Sequence, residues 1–168
     1  MSLATRAVWY SFATRVIGDG SKRVRGIRHD SRAIEPGDIF VAISREAAGA
    51  GRDGEQFIQD AVARGAVAVL WQAGADFAWN SASTATALEV ADLGALAGPL
   101  AHAVLDEPSR ELSLIAITGT NGKTTVSQFI ARAHPDSCAV VGTLGAGFPG
   151  QLVETGFTTP EATTLMRL

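Results

Sequence analysis

A single cysteine, Cys138, occurs in the 168 residues, so an intramolecular disulfide framework is excluded. It lies in the apolar run Cys138-Ala139-Val140-Val141, where a buried free thiol is expected, with a reactive nucleophile as the alternative. No stretch reaches the roughly 18 apolar residues that a membrane-spanning helix needs. The segment from Met1 to Phe12 lacks the charged-then-apolar layout of a secretory signal, and a cytoplasmic location is expected. No Lys/Arg run forms a basic stripe. With a net charge of −3 and a pI near 5.6, nucleic acid is not an expected partner. Internal repeats and low-complexity tracts are missing too. Charged residues make up only 18% of the chain against 46% hydrophobic, a balance that suits a packed core rather than disorder.

What is present reads as α/β grammar, in two regions that meet near Asp106 to Glu111. Pro36-Gly37-Asp38 is a turn signal, and the apolar run Ile39 to Ile43 after it predicts a buried strand. Asp53 and Gln56 have the spacing of a capping box. Phe57, Ile58, Ala61 and Val62 then repeat at helical spacing, and Gly65 supplies a left-handed stop. Ala66 to Trp71 predicts the next strand. Residues 72–88 show no clear period. A second helix is expected over Leu93 to Val104 with Asp92 as its cap, kinked at Pro99 or starting near it, because proline lacks a donor. Pro108 marks a linker.

From Leu112 the pattern changes. Leu112 to Thr118 is apolar on both faces, as a central parallel strand should be. It leads into Gly119-Thr120-Asn121-Gly122-Lys123-Thr124-Thr125, and Val126 to Ala133 predicts a helix with Val126, Phe129 and Ile130 on its apolar side. Ala139 to Leu144 is expected as a further strand, and Gly145, Gly147 and Gly150 as a flexible loop. A strand, a glycine loop and a helix carrying Gly-Lys-Thr suit a nucleoside triphosphate. Glycines let successive N–H groups converge on phosphate oxygens, and the helix N-terminus adds partial positive charge. Lys123 has the reach for the β- and γ-phosphates, and the Thr124 hydroxyl is the expected Mg²⁺ ligand. The strict G-x-x-x-x-G-K-[ST] pattern would place its first glycine at Ile117, whereas it stands at Gly119.

The run Thr118 to Thr125 resembles the phosphate loop of the Mur ligases, and other stretches follow in that family's order. His29-Asp30-Ser31-Arg32 and Pro36 to Ala42 are similar to its N-terminal substrate domain, as are Asp53-Gly54 and Gly65 to Val69. Gly142-Thr143-Leu144-Gly145 and Thr158-Thr159-Pro160 resemble the tripeptide-forming branch. The resemblance implies a small mixed α/β substrate domain over 1–107, followed over 108–168 by the beginning of a P-loop parallel-sheet ATPase domain. It implies that Ser31 holds the uridine end of a UDP-sugar and that Thr158 and Thr159 contact the muramoyl peptide. For the threonines, N-capping before Pro160 is an alternative or additional role. Asp30 and Arg32 are expected to pair and cap a turn; His29 is a surface imidazole or a substrate neighbour. Glu55 departs from the family, which often carries His or Arg after Asp-Gly, and the Ala/Gly-rich loop 44–52 is lengthened.

The implied partners are ATP, Mg²⁺, UDP-N-acetylmuramoyl-L-alanyl-D-glutamate and a diamino acid. The implied reaction activates a carboxylate as an acyl phosphate, which the diamino acid's amine then attacks. Because family members have three domains, the 168-residue chain is expected to lack most of the catalytic machinery. It is then non-catalytic alone and exposes apolar strand surface. A nucleotide- or UDP-sugar-binding remnant without chemistry is the alternative, and a related ligase acting on another carboxylate a further one.

Overall fold

The computed structural model describes residues 13–43, 54–75, 77–80, 82–155 and 160–168. Its contacts divide the chain after Ser109 into two compact units.

The first unit is built on a five-stranded sheet in the order β1-β5-β4-β3-β2. Strands β2 (Gly26–Arg28), β3 (Asp38–Ala42), β4 (Ala68–Gln72) and β5 (Thr86–Val90) run parallel. Strand β1 (Ala13–Ile17) pairs antiparallel with β5 at one edge. All of β3 is buried, as a parallel strand covered on both faces requires. On one face Phe40, Ala42, Val69, Trp71 and Ala87 meet Ile58 and Ala61 of helix α1 (Ile58–Ala63). Alternation turns Ile39, Val41 and Leu70 to the other face. There helix α2 (Leu93–Val104) packs on β2 and β4 through its buried Leu93, Ala97, Leu100, Ala101 and Val104.

Several expectations hold. The Pro36-Gly37 turn feeds β3, with Gly37 at φ 98°, and α1 ends at Gly65, at φ 101°. Asp92 caps α2, its Oδ1 accepting from the Ala95 N–H at 2.9 Å. Asp53 lies outside the described residues, so the capping box is not seen; a 3₁₀ turn, Gly54–Phe57, precedes α1. Pro99 neither starts nor interrupts α2. Ala95 and Pro99 are both exposed, so water can take the Ala95 carbonyl that proline leaves without a donor. Residues 72–88, without period in the sequence, contain the start of β5, and the loop before it is anchored by rings. Trp79 stacks on Trp71 at 5.7 Å and 8°, and Phe77 meets Trp71 edge-on.

The second unit departs further from expectation. Leu112 to Thr118 joins no ladder, and Leu112, Leu114 and Ile115 are 62, 80 and 57% exposed. A strand exists through its partner, and the described residues of this unit offer that run none. The strand expected over 139–144 turns at Thr143-Leu144 into a hairpin, β6 (Val140–Gly142) antiparallel to β7 (Gly145–Gly147). The glycines expected in a flexible loop therefore stand partly in a strand. Gly145, at φ 113°, lies so close to Val153 that a Cβ would run into its carbonyl. Helix α3 (Lys123–Ala133) forms as expected, but Val126 and Phe129 on its apolar side are 44 and 65% exposed. A short helix α4 (Ala162–Leu165) follows Pro160. Cys138 is half-buried rather than buried.

Candidate functional site

The phosphate loop connects Thr118 to α3. Gly119 at φ 142° and Gly122 at φ 78° hold backbone conformations that L side chains rarely adopt. Gly122 is the residue from which α3 springs, and a Cβ on it would meet nothing within 4 Å. Its conformation, not its space, calls for glycine. The first bond of the helix runs from the Val126 N–H to the Gly122 carbonyl at 2.9 Å. The N–H groups of Lys123, Thr124 and Thr125 belong to the first turn, which has no acceptor within its own helix.

Lys123 folds back over the loop, its Nζ donating to the Gly119 carbonyl at 2.7 Å and reaching the Thr120 carbonyl at 3.5 Å. The ammonium is thus tied to the carbonyls at the start of the loop. Gly119, Thr120, Asn121, Gly122, Lys123 and Thr125 are exposed, and Thr124 is half-buried. Open space at Gly122, a lysine held at the loop and a helix N-terminus suit a polyphosphate. No group of three or more His, Cys, Asp or Glu side chains that could hold a metal occurs among the described residues. A Mg²⁺ ion here would take the Thr124 hydroxyl together with phosphate and water oxygens, the usual donor set for this hard cation.

In the first unit, Ser31 opens a 3₁₀ turn, Ser31–Ala33, at the carboxyl end of β2. Asp30 caps it, accepting the Arg32 N–H at 2.9 Å and the Arg32 side chain at 2.9 and 2.8 Å. The expected Asp30–Arg32 pairing is thus present. Arg32 holds the Asp30 carboxyl below the usual carboxylate range, chiefly through its side-chain hydrogen bond. Ser31 itself is 5% exposed and opens the turn that packs against α1. The Asp60 carboxyl is held below the usual carboxylate range, first by hydrogen bonding from the Ser31 side chain and then by Arg64. Arg64 Nε spans both Asp60 oxygens at 3.0 and 3.1 Å. His29 is half-buried. Thr158 and Thr159 lie outside the described residues.

The ion pairs of two residues escaped the sequence reading. Asp60 was visible only as half of an i, i+4 pair with Arg64. Asp38, 5% exposed in its side chain, takes the Arg28 Nε at 2.5 Å and the Glu35 N–H at 3.0 Å, locking the turn that carries the chain from β2 to β3.

Residues 23–104 match the Mur ligase family catalytic domain, and residues 117–168 match the Mur ligase middle domain. The chain belongs to the Mur ligase family. It is 42% identical over 147 residues to the UDP-N-acetylmuramoyl-L-alanyl-D-glutamate–2,6-diaminopimelate ligase of Chromobacterium violaceum, a match covering 86% of this chain and 29% of that protein. The enzyme of the same name from Pseudomonas aeruginosa is 43% identical over 142 residues, covering 82% of this chain and 28% of the relative. A solved structure of a ligase of that name superposes with a TM-score of 0.60 at 29% identity, covering 86% of this chain and 28% of its own. This Mur ligase chain therefore spans under a third of the length of the relatives it matches. Its mixed α/β architecture with a mostly parallel sheet agrees with that structural likeness. No helix among the described residues is long and apolar enough to cross a membrane.

Proposed function

We propose that this chain contributes the UDP-substrate domain (1–107) and the beginning of the ATP-binding domain (108–168) of a cytoplasmic amide-bond ligase. The ligase joins a diamino acid, meso-diaminopimelate, to UDP-N-acetylmuramoyl-L-alanyl-D-glutamate. The relatives' shared name supports the substrates, and the observation that carries the reading is Lys123 folded over the glycine loop at 2.7 Å from Gly119.

In this mechanism the carboxylate of the D-glutamate side chain attacks the γ-phosphorus of ATP. An acyl phosphate forms and ADP departs. The amine of the diamino acid then attacks the acyl carbon, phosphate leaves with the C–O bonding pair, and the amine gives up a proton as the amide forms. Mg²⁺, where bound, neutralises phosphate charge. Lys123 supplies the fixed positive charge at the transferring phosphoryl group, and the N–H groups of Gly122 to Thr125 orient its oxygens. The Thr124 hydroxyl would ligate that metal. Ser31 holds the uridine end of the substrate, and Thr158 and Thr159 contact its peptide.

Calorimetric titration with ATP–Mg²⁺ tests the loop. Lys123→Ala should weaken binding at least about tenfold, the scale of one lost charge-assisted contact, with an unchanged circular dichroism spectrum. Equal affinity in the two proteins would overturn the assignment.

A further inference from the structure

Helix α2 closes with two backbone bonds, from the Asp106 N–H to the Ala103 carbonyl at 3.4 Å and from the Glu107 N–H to the His102 carbonyl at 2.7 Å. This form of closure needs one left-handed residue, and Asp106 at φ 60° supplies it. Glu107 is left-handed as well, at φ 58°, which the cap does not require. Its place makes that conformation more costly. Glu107 precedes Pro108, whose ring crowds the residue before it and favours an extended backbone there. A residue held against its preference needs surroundings that over-determine it. The 3₁₀ turn Pro108–Glu111 brings the Ser109 hydroxyl back to α2, where it meets His102 Nε2 at 2.7 Å. A hydroxyl can donate to a bare ring nitrogen or accept from a protonated one, so the bond survives either tautomer. His102 thus grips the segment twice, its carbonyl on the Glu107 N–H and its ring on Ser109.

We infer that Asp106-Glu107 is a strained hinge with two settings, and that the His102–Ser109 bond is the latch that keeps the left-handed one. In the released setting Glu107 relaxes to the extended backbone that Pro108 favours. Its N–H then leaves the His102 carbonyl, Ser109 is carried away from the ring, and the chain departs from α2 in another direction. Left-handed conformations at non-glycine residues and single hydrogen bonds carry comparable energies, so strain and latch nearly balance. A small change on either side shifts the populations. The latch residues, His102 to Ser109, all lie in the first unit. The hinge stands whether or not the nucleotide and substrate assignments hold.

Amide hydrogen exchange read residue by residue tests this on the chain, in the wild type and in the S109A, H102A, S109A/H102A, D106G and E107P variants. Neither alanine change alters the residues that set the intrinsic exchange rate of the Glu107 N–H, so its protection reports the hinge. Protection there should fall about tenfold in S109A and in H102A, the scale of one hydrogen bond. The double variant should match the singles, because each removes the same bond. D106G relieves strain in the latched setting and should raise protection several-fold, measured against its own intrinsic rate. In E107P the ring forbids a positive φ and removes the N–H, which fixes the released setting. The imidazole nitrogen resonances of His102 should then move to their positions in S109A. Unchanged Glu107 protection in S109A, additive losses in the double variant, or His102 resonances in E107P that stay at their wild-type positions overturn the latch. Equal loss of protection at Ala97, Leu100 and Ala101 in S109A would mark a general weakening of α2 and overturn it as well.

Discussion

Replacing Asp38 by alanine should destabilise the first unit by about 3 kcal/mol, and its effect should be coupled to Gly26. The Asp38 side chain is 5% exposed and that of its partner Arg28 14%. Removing the carboxylate loses one charge-assisted bond from Arg28, roughly 1.5–3 kcal/mol, and the acceptor of the Glu35 N–H, about 1 kcal/mol. Arg28 still reaches Glu35 at 2.7 Å, but that partner is 72% exposed and such a pair is worth only about 0–1 kcal/mol. The remaining pair cannot offset a half-buried guanidinium left short of charge, so the loss falls near the lower end of the roughly 3–5 kcal/mol for breaking a buried pair. Gly26 provides the internal check. A Cβ there would stand 2.6 Å from Asp38 Oδ1, an oxygen whose carboxylate is held by Arg28 and Glu35. Gly26→Ala should therefore cost about 1–3 kcal/mol in the wild type, as overpacking does. In the D38A background the obstructing oxygen is gone, and the same change should be neutral or slightly stabilising, since alanine orders more cheaply than glycine. Urea unfolding of the four proteins measures this, with D38A lowering the midpoint by about 1–3 M for ordinary m-values. Strictly additive effects, or a D38A loss under about 1 kcal/mol, would refute the reasoning.

Helix α2 ends with the Glu107 N–H bonded to His102 O at 2.7 Å and the Asp106 N–H to Ala103 O at 3.4 Å, the Schellman pattern, but with Asp106 at φ 60° where glycine is usual. Asp106→Gly should thus stabilise by about 1 kcal/mol and raise Tm by about 4–8 °C; an unchanged or lower Tm speaks against a strained cap. Asp30 and Asp60 are held below the ordinary carboxylate range, by Arg32 and by Ser31 with Arg64 respectively, so the unfolded chain binds their protons more readily. The stability they contribute is fully present above about pH 4 and is lost as pH falls through the folded values. Urea midpoints should therefore drop at the acid end and drop less in D60N; identical slopes would contradict this linkage. In the nucleotide loop, Gly122→Ala forces a left-handed conformation on a side chain although space is open, and should cost about 1 kcal/mol while weakening ATP–Mg²⁺ binding. Unaltered melting and titration would show that φ 78° is not required there.

What the sequence determined by itself was local. The turn at Pro36-Gly37, the Asp92 cap, the Gly65 stop, the Asp30–Arg32 pair and the glycine loop opening α3 each join residues a few positions apart, through dihedral preferences and short-range hydrogen bonds. The family order of motifs was legible for the same reason, since each motif is a short run. Tertiary structure alone decided which runs found partners. Thr86 to Leu88 lay in the stretch without a clear period, yet Thr86–Val90 becomes a parallel strand because β4 offers it a complete ladder. Leu112 to Thr118 is the more strand-like run, yet joins no ladder, because pairing depends on a neighbour and not on the run's own composition. The same holds within the site. Ser31 could be singled out from its own motif, but that its turn is packed against α1 follows only from the fold. A side chain's identity sets what it can donate or accept; the fold sets which of those bonds remain for a ligand.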